Sequence, residues 1–277
     1  MIDYHVHERH SRDAITATVA EYVKVAEARG INEIAFTTHL ITTGPDVDVS
    51  IPVEELSEYV DEIEDAKETT NVRLLIGLEV DYFPEEERHL EHILSEYQFD
   101  FILGSTHYIN GIDIGSRSLA EQFFAGRSIS EGADEYFRVW RQAIESGLFD
   151  VMAHPDYWRK YIHLFRERAH WSDYGSVVFD ALELLAKDGV GIEVNTSGIR
   201  HGIGSFFPLQ EFLIAAHDVG VKAVTVGSDS HTAGTLGFKL EEAARQLREA
   251  GFTTMSTFRG RKNTKVSIDN FLMSGLR

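Results

Sequence analysis

Ala223-Val224-Thr225-Val226-Gly227-Ser228-Asp229-Ser230-His231 is an apolar run that ends in an aspartate and a histidine two residues apart. Such a run reads as a buried strand that carries polar side chains out at its C-terminal end. The chain opens in the same manner. Met1-Ile2 runs into Asp3-Tyr4-His5-Val6-His7, where alternation points both imidazoles to one side of a strand. Two strands of this kind, far apart in sequence, point to one site that the intervening chain encloses.

Between them, short apolar runs alternate with segments of helical period. Strands are predicted at Ile2–His7, Glu33–His39, Val72–Val80, Phe99–His107, Val151–His154, Gly191–Asn195 and Lys222–Gly227. Helices are predicted over Ala14–Arg29, Val53–Thr69, Glu85–Tyr97, Glu131–Ser146, Tyr174–Lys187, Leu209–Val219 and Lys239–Ala250. Ile15, Val19, Val23 and Ala26 share a face of the first helix, which Gly30 stops. Val53, Leu56, Val60 and Ile63 form the stripe of the second. Asn110–Ser130, Asp156–Ser172 and Thr196–Phe207 read as long loops, a length more often functional than not. The tail offers one further short strand near Phe252–Phe258. Seven strand–helix units without a linker predict one α/β domain over residues 1–277. Every strand is apolar and needs cover on both faces, so a parallel sheet closed into a barrel fits; an open doubly wound sheet is the alternative.

Composition narrows the function. Of 277 residues, 45 are acidic and 26 basic, a formal net charge of −19. A long nucleic-acid backbone needs a basic face and is not an expected partner. The absence of cysteine excludes disulfides, thiolate metal sites and cysteine nucleophiles, and suits a cytoplasmic protein. Charge and histidine within the first seven residues argue against a signal peptide, and no apolar run approaches a membrane span.

Polar residues gather at the predicted strand ends. Strand one ends in His5 and His7, strand two in His39, strand three in Glu79, strand four in His107 and strand five in His154. Strand six ends in Asn195, and strand seven leads to Asp229 and His231. Six of the 13 histidines thus sit where a parallel barrel builds its active site. Singly, each has an ordinary reading: Asp13 as a helix N-cap, Asp229 as a turn residue, a lone histidine as structural. Together they predict a polynuclear metal site, because buried imidazoles and carboxylates in such number need cations. An all-nitrogen-and-oxygen ligand set suits Zn, Mn or Fe. His89 and His92 belong to an acidic helix and should face solvent, and His217 lies near a helix end. His163, His170 and His201 fall in rim loops where substrate could meet them.

Asp3-x-His5-x-His7, His39, Gly77-Leu78-Glu79, Gly104-Ser105-x-His107, His154-Pro155 and Ser228-Asp229-x-His231 resemble the motifs of the PHP (polymerase and histidinol phosphatase) superfamily. The resemblance implies a distorted (β/α)7 barrel with three divalent metal ions at the C-terminal rim. By position it implies that His5, His7, Glu79 and Asp229 hold one ion. Glu79 would bridge to a second held by His107 and His154, and Asp13, His39 and His231 would hold a third. His10 competes with Asp13 for that last place. Within the superfamily, Glu193-Val194-Asn195-Thr196-Ser197-Gly198-Ile199-Arg200 and His154-Pro155-Asp156 with Arg159-Lys160 resemble the histidinol-phosphate phosphatases.

The resemblance implies a phosphomonoesterase that splits L-histidinol phosphate into L-histidinol and phosphate, an enzyme of histidine biosynthesis. A hydroxide bridging two ions would attack phosphorus, since coordination lowers the pKa of water from about 15.7 to about 7. Arg200 would bind the phosphoryl oxygens, with Arg117, Arg159 and Lys160 as further cationic contacts, because guanidinium suits phosphate. Asp229, His231 or a metal-bound water would protonate the leaving group. Glu8, Asp81 and Asp156 are candidates for the amine and imidazole of the substrate. The alternative is the same chemistry on a nucleotide or sugar phosphate. A metal-dependent amidohydrolase fits less well, for want of an eighth strand and a strand-end lysine. A proofreading module of a polymerase lacks its basic face here.

Overall fold

The computed structural model describes residues 1–162 and 169–274. The barrel strands are β1 (Ile2–Val6), β2 (Glu33–Leu40), β3 (Arg73–Asp81), β4 (Phe101–Ser105), β7 (Val151–Met152), β8 (Gly191–Asn195) and β9 (Val224–Gly227). A small hairpin, β5 (Tyr108–Ile109) with β6 (Ile112–Asp113), interrupts them, and a second hairpin, β10 (Thr254–Arg259) with β11 (Lys262–Ser267), follows. The helices are α1 (Val19–Arg29), α2 (Leu56–Lys67), α3 (Glu87–Glu96), α4 (Arg117–Phe124), α5 (Ile129–Glu145), α6 (Trp171–Asp188), α7 (Ser197–Arg200), α8 (Gln210–Asp218), α9 (Leu240–Glu249) and α10 (Ile268–Ser274). The seven barrel strands are all parallel and lie in chain order. A bridge between Val6 and Ser230 brings the first strand to the last, with His7 N–H donating to the Ser230 carbonyl at 2.8 Å. The sheet is therefore a nearly closed barrel, and the open doubly wound alternative is set aside.

The barrel interior has two layers. Below, Tyr4, Ala35, Leu75, Phe101, Leu103, Val151 and Ala153 form an apolar cluster that Phe258 of β10 plugs from the N-terminal end. The plug is tied down: Phe258 N–H donates to the Tyr4 hydroxyl at 2.8 Å, Tyr4 donates to Glu33, and Arg73 bonds both Glu33 and the Phe258 carbonyl. Above, the same inward rows of β2 and β3 continue as His39 and Glu79, because side chains two residues apart share a face. The larger core lies outside, between the strands and the helices, and includes Phe36, Ile76, Trp140, Leu182 and Val194.

β1 does not alternate simply. Its register against β2 slips between Asp3 and Val6, so that Tyr4 and His5 together face one residue of β2. This bulge lets Tyr4 fill the apolar floor while His5 enters the polar layer above it.

Several expected boundaries move. The first helix starts at Val19, not Ala14, because Thr18 and Glu21 form a capping box, and Ile15 is exposed rather than on the buried face. Asp13 is consequently not a helix cap. Val53 lies in a 3₁₀ turn ahead of α2, and only Leu56 and Ile63 of its expected stripe are fully buried, beside Tyr59. The expected loop Asn110–Ser130 contains β6 and α4; Asn110 and Gly111, both at positive φ, turn the β5–β6 hairpin. The tail holds two strands, not one. Among the described residues no helix is long and apolar enough to cross a membrane.

Candidate metal centre and active site

At the C-terminal rim the strands bring all nine expected ligands together. Asp13, His39, Glu79, His107, His154, Asp229 and His231 line a cavity of about 490 Å³, and His5 and His7 lie fully buried at its floor. Glu79 is central. Its Oε2 lies 3.2 Å from His5 Nε2, 3.4 Å from His7 Nε2 and 3.0 Å from His39 Nδ1, while its Oε1 lies 2.8 Å from His154 Nε2 and 3.9 Å from His107 Nε2. Asp229 Oδ1 stands 3.6 Å from His7 Nε2 and 3.5 Å from His231 Nδ1. Asp13 Oδ2 stands 3.0 Å from His231 Nε2 and 3.5 Å from His39 Nε2. His10 points elsewhere, to Glu62 at 3.1 Å. Geometry thus places Asp13, not His10, with His39 and His231. The grouping also differs in two respects from the expected one: the His7 ligand nitrogen converges with those of His39 and His231 as well as with His5 and Asp229, and that of His5 converges also with Glu79 and His154.

Two of these residues are presented by strained backbone. His154 and Asp229 have φ of 27° and 54°, which in a residue with a Cβ costs roughly 1–3 kcal/mol. Arg200 spans the second of them: its Nη2 donates to the Ser228 carbonyl at 2.8 Å and the Asp229 carbonyl at 2.6 Å.

The outer partners of the imidazoles decide what the cluster can hold. His5 Nδ1 is 2.8 Å from Glu193 Oε1, and His107 Nδ1 is 3.1 Å from Asp81 Oδ2. A carboxylate only accepts, so each Nδ1 carries a proton and each Nε2 is the nitrogen left to present a lone pair to a cation. Those lone pairs face other imidazole nitrogens: His5 Nε2 is 3.0 Å from His7 Nε2, and His107 Nε2 is 3.2 Å from His154 Nε2. Buried nitrogens converging in this way, around a shared carboxylate, form a donor set for divalent cations. His154 Nδ1 is also buried without a hydrogen bond.

Charge follows the same pattern. Burial opposes ionisation of Glu79, but His5, His39 and His154 outweigh it and hold the carboxyl well below its usual range. Burial likewise opposes the Asp229 carboxylate, and His5, His7 and His231 hold it low. His5 is raised well above the usual imidazole value, because Glu193, Glu79 and Asp229 overcome its burial. Burial pushes His7 down to about 3, with help from His39 and His231.

Three residues that the sequence reading placed in motifs but gave no role support the site. Glu193 bridges His5 Nδ1 and the backbone N–H of His154, the latter at 2.9 Å. Asn195 Nδ2 donates to Glu193 and to Asp229 Oδ2 at 3.1 and 3.4 Å. Asp3 accepts from Ser228 N–H and Gly237 N–H, both at 2.8 Å, and so ties β1 to the loop that carries Asp229. Gly227 makes room for this: a Cβ there would overlap the Glu193 carboxylate and lie 2.5 Å from the His5 Cβ. Glu193 could have been found, since period-two alternation from Asn195 turns it into the barrel.

The cavity wall is formed by Tyr157, Lys160, Arg200, His201, Thr232 and Thr235. Lys160 Nζ donates to the Tyr157 hydroxyl at 2.6 Å, and burial lowers its pKa. Two residues expected as phosphate contacts do not line this cavity. Arg159 is turned back onto Asp156 at 2.7 Å and onto the Phe206 carbonyl, and Arg117 sits exposed on the first turn of α4. The expected partners of a cationic substrate are also committed elsewhere. Asp81 holds His107, Asp156 pairs with Arg159, and Glu8 is fully buried beside His10. Glu8, His10 and Glu62 form a second group of ligand type, but Arg9, 2.7 Å from Glu62, already supplies its cation. His170 stands at the N-cap of α6; His163 lies outside the described residues. His89 and His92 are exposed on α3.

An α/β barrel with imidazoles and carboxylates converging at its C-terminal rim defines a metal-binding barrel of hydrolase type. The chain belongs to the PHP family: the model described as "PHP domain" matches residues 3–197. A protein of Deinococcus radiodurans named "Probable histidinol-phosphatase" is 29% identical over 265 residues, covering 95% of this chain and 98% of that one. The "Histidinol-phosphatase" of Lactococcus lactis subsp. lactis is 25% identical, covering 95% and 96%. The crystal structure of the Lactococcus lactis histidinol phosphate phosphatase, complexed with zinc, L-histidinol and phosphate, superposes with a TM-score of 0.80. It is 24% identical and the match covers 95% of this chain and 98% of that one.

Proposed function

We propose that this protein is a metal-dependent phosphomonoesterase that hydrolyses L-histidinol phosphate to L-histidinol and phosphate. The observation that carries the reading is the cluster around Glu79 on the floor of a cavity whose wall offers Arg200 and Lys160. Full-length relatives named for this activity support the substrate.

Three divalent ions, Zn, Mn or Fe, would be held by His5, His7, Glu79 and Asp229, by Glu79, His107 and His154, and by Asp13, His39 and His231. When bound, such ions neutralise phosphoryl oxygens and make water acidic enough to serve as a nucleophile near neutral pH. The residues do the rest. Water oxygen bonds to phosphorus, the ester P–O bond breaks in line with it, one water proton stays on the phosphate and the other is passed to the departing alkoxide. We assign delivery of that proton to His231 at the cavity edge, which is 32% exposed and whose Nδ1 stands 3.5 Å from the ionised Asp229. Arg200 and Lys160 hold phosphoryl oxygens, and the buried floor keeps bulk water from the ligand nitrogens. The substrate is a small molecule; with a net charge of −19 the chain is not built for nucleic acid.

A panel of phosphomonoesters tests this. L-histidinol phosphate should exceed an aryl phosphate, a nucleoside monophosphate and a sugar phosphate in kcat/KM by about 100-fold or more, since a site hydrogen-bonded to one substrate discriminates more strongly than pocket size alone. Equal rates across the panel would sink the substrate assignment, and preference for a nucleotide or sugar phosphate would replace it.

A further inference from the structure

Glu193 is fully buried inside the barrel and lies beneath the metal centre rather than in it. Each of its oxygens has a separate task. Oε1 is 2.8 Å from His5 Nδ1, which fixes the ring proton there and aims Nε2 at Glu79 and His7. Oε2 accepts the His154 backbone N–H at 2.9 Å, on a residue held at φ 27°. Asn195 Nδ2 steadies Oε2 at 3.1 Å, and Asn195 Oδ1 is itself fixed by Ser197 N–H at 2.9 Å. His5 and His154 approach Glu79 through different oxygens, and in the proposed ion grouping they belong to different cation positions, although their ligand nitrogens also converge with Glu79 as one donor group.

We propose that Glu193 is a positioning residue that sets two metal positions at once, orienting the ring of His5 and holding the backbone of His154. This rests on the metal-dependent reading above. A single partner such as Asp81, which serves His107 alone, governs one position; Glu193 governs two. Removing such an outer partner typically weakens metal binding 10- to 100-fold.

The test is zinc titration of the metal-free protein against a chromophoric chelator, with the visible spectrum of the Co²⁺ form as a second readout. Glu193→Gln is isosteric, but removes the negative charge that both donors face and gives one of them an NH₂ group. It should weaken two zinc equivalents by roughly 10- to 100-fold and alter the Co²⁺ ligand-field bands, whereas Asp81→Asn should weaken one. Glu193→Asp, which keeps the charge but withdraws it by one methylene, should weaken the same two equivalents and covers the case in which Glu193→Gln does not fold. Wild-type zinc affinities in both variants, or weakening of a single equivalent, would overturn the inference while leaving the metal-dependent reading intact. A wild-type protein that takes up no zinc would overturn both.

Discussion

Asp81 accepts from His107 twice, 3.2 Å from the backbone nitrogen and 3.1 Å from ring Nδ1. One buried carboxylate therefore fixes where the residue sits and which way its ring faces. His107 carries the cost of burial and is still raised above the usual imidazole range, because Asp81 and then Glu79 outweigh it.

Asp81→Asn keeps the shape and weakens this hold. Zinc affinity at the His107 position is expected to fall about 10- to 100-fold with the other equivalents unmoved, read by chelator competition. Unchanged binding would show that Asp81 does not act through His107.

Arg200→Ala removes a cavity cation and also releases the Ser228 and Asp229 carbonyls. Charged hydrogen bonds contribute about 1.5–3 kcal/mol, so kcat/KM for the phosphomonoester should fall roughly 10- to 100-fold. We expect KM to rise through lost phosphate binding and kcat to fall through a displaced Asp229. Unaltered steady-state kinetics would remove Arg200 from the site.

Metal binding should release protons. His5, His39 and His107 all hold theirs above the usual imidazole range, since neighbouring carboxylates overcome burial. A cation at those nitrogens displaces the proton, so zinc affinity falls as pH drops through the raised values. Calorimetry in two buffers of different ionisation enthalpy should show net release at pH 7. Chelation should abolish phosphatase activity, and added Mn or Zn should restore it; activity that survives chelation contradicts the metal-dependent reading.

Asp150 lies at the other end of the barrel, accepting from Ile102 N–H at 2.8 Å and facing Arg261 at 3.1 Å. Burial pushes its pKa up to about 6 despite Arg261. Between about pH 4 and 6 the folded chain keeps a proton that the unfolded chain releases, so stability falls as pH rises across that window and stays lower above it. At 1.36 kcal/mol per unit the loss is on the order of 3 kcal/mol. Asp150→Asn should flatten this part of the urea-denaturation profile; an unchanged profile would place the carboxyl at its ordinary value.

The strand ends were legible because barrel chemistry sits where parallel strands stop, and a histidine or acid after an apolar run marks that place. His39, Glu79, His107, His154, Asp229 and His231 all lie where that rule puts them. The β1 bulge was not legible, since it exists only against the register of β2. Nor could sequence say which of Arg159 and Lys160 faces the cavity: a 3₁₀ turn over Tyr157–Arg159 swings the first to Asp156 and leaves the second at the wall. β11 escaped notice because Lys262–Ser267 is almost wholly polar and exposed. The Asn110-Gly111 turn and the Thr18 and Ser128 capping boxes were readable signals, and they correct the boundaries of β5, β6, α1 and α5.

The contact between Val6 and Ser230 also has a bearing on synthesis. His5 and His7 leave the ribosome more than 200 residues before Asp229 can join them, and Phe258, which stoppers the opposite end, follows later still. A nascent chain thus exposes the imidazoles and the bare barrel floor for most of its translation. Cation positions that draw on Asp229 or His231 can be completed only once the last strand has emerged and docked beside the first.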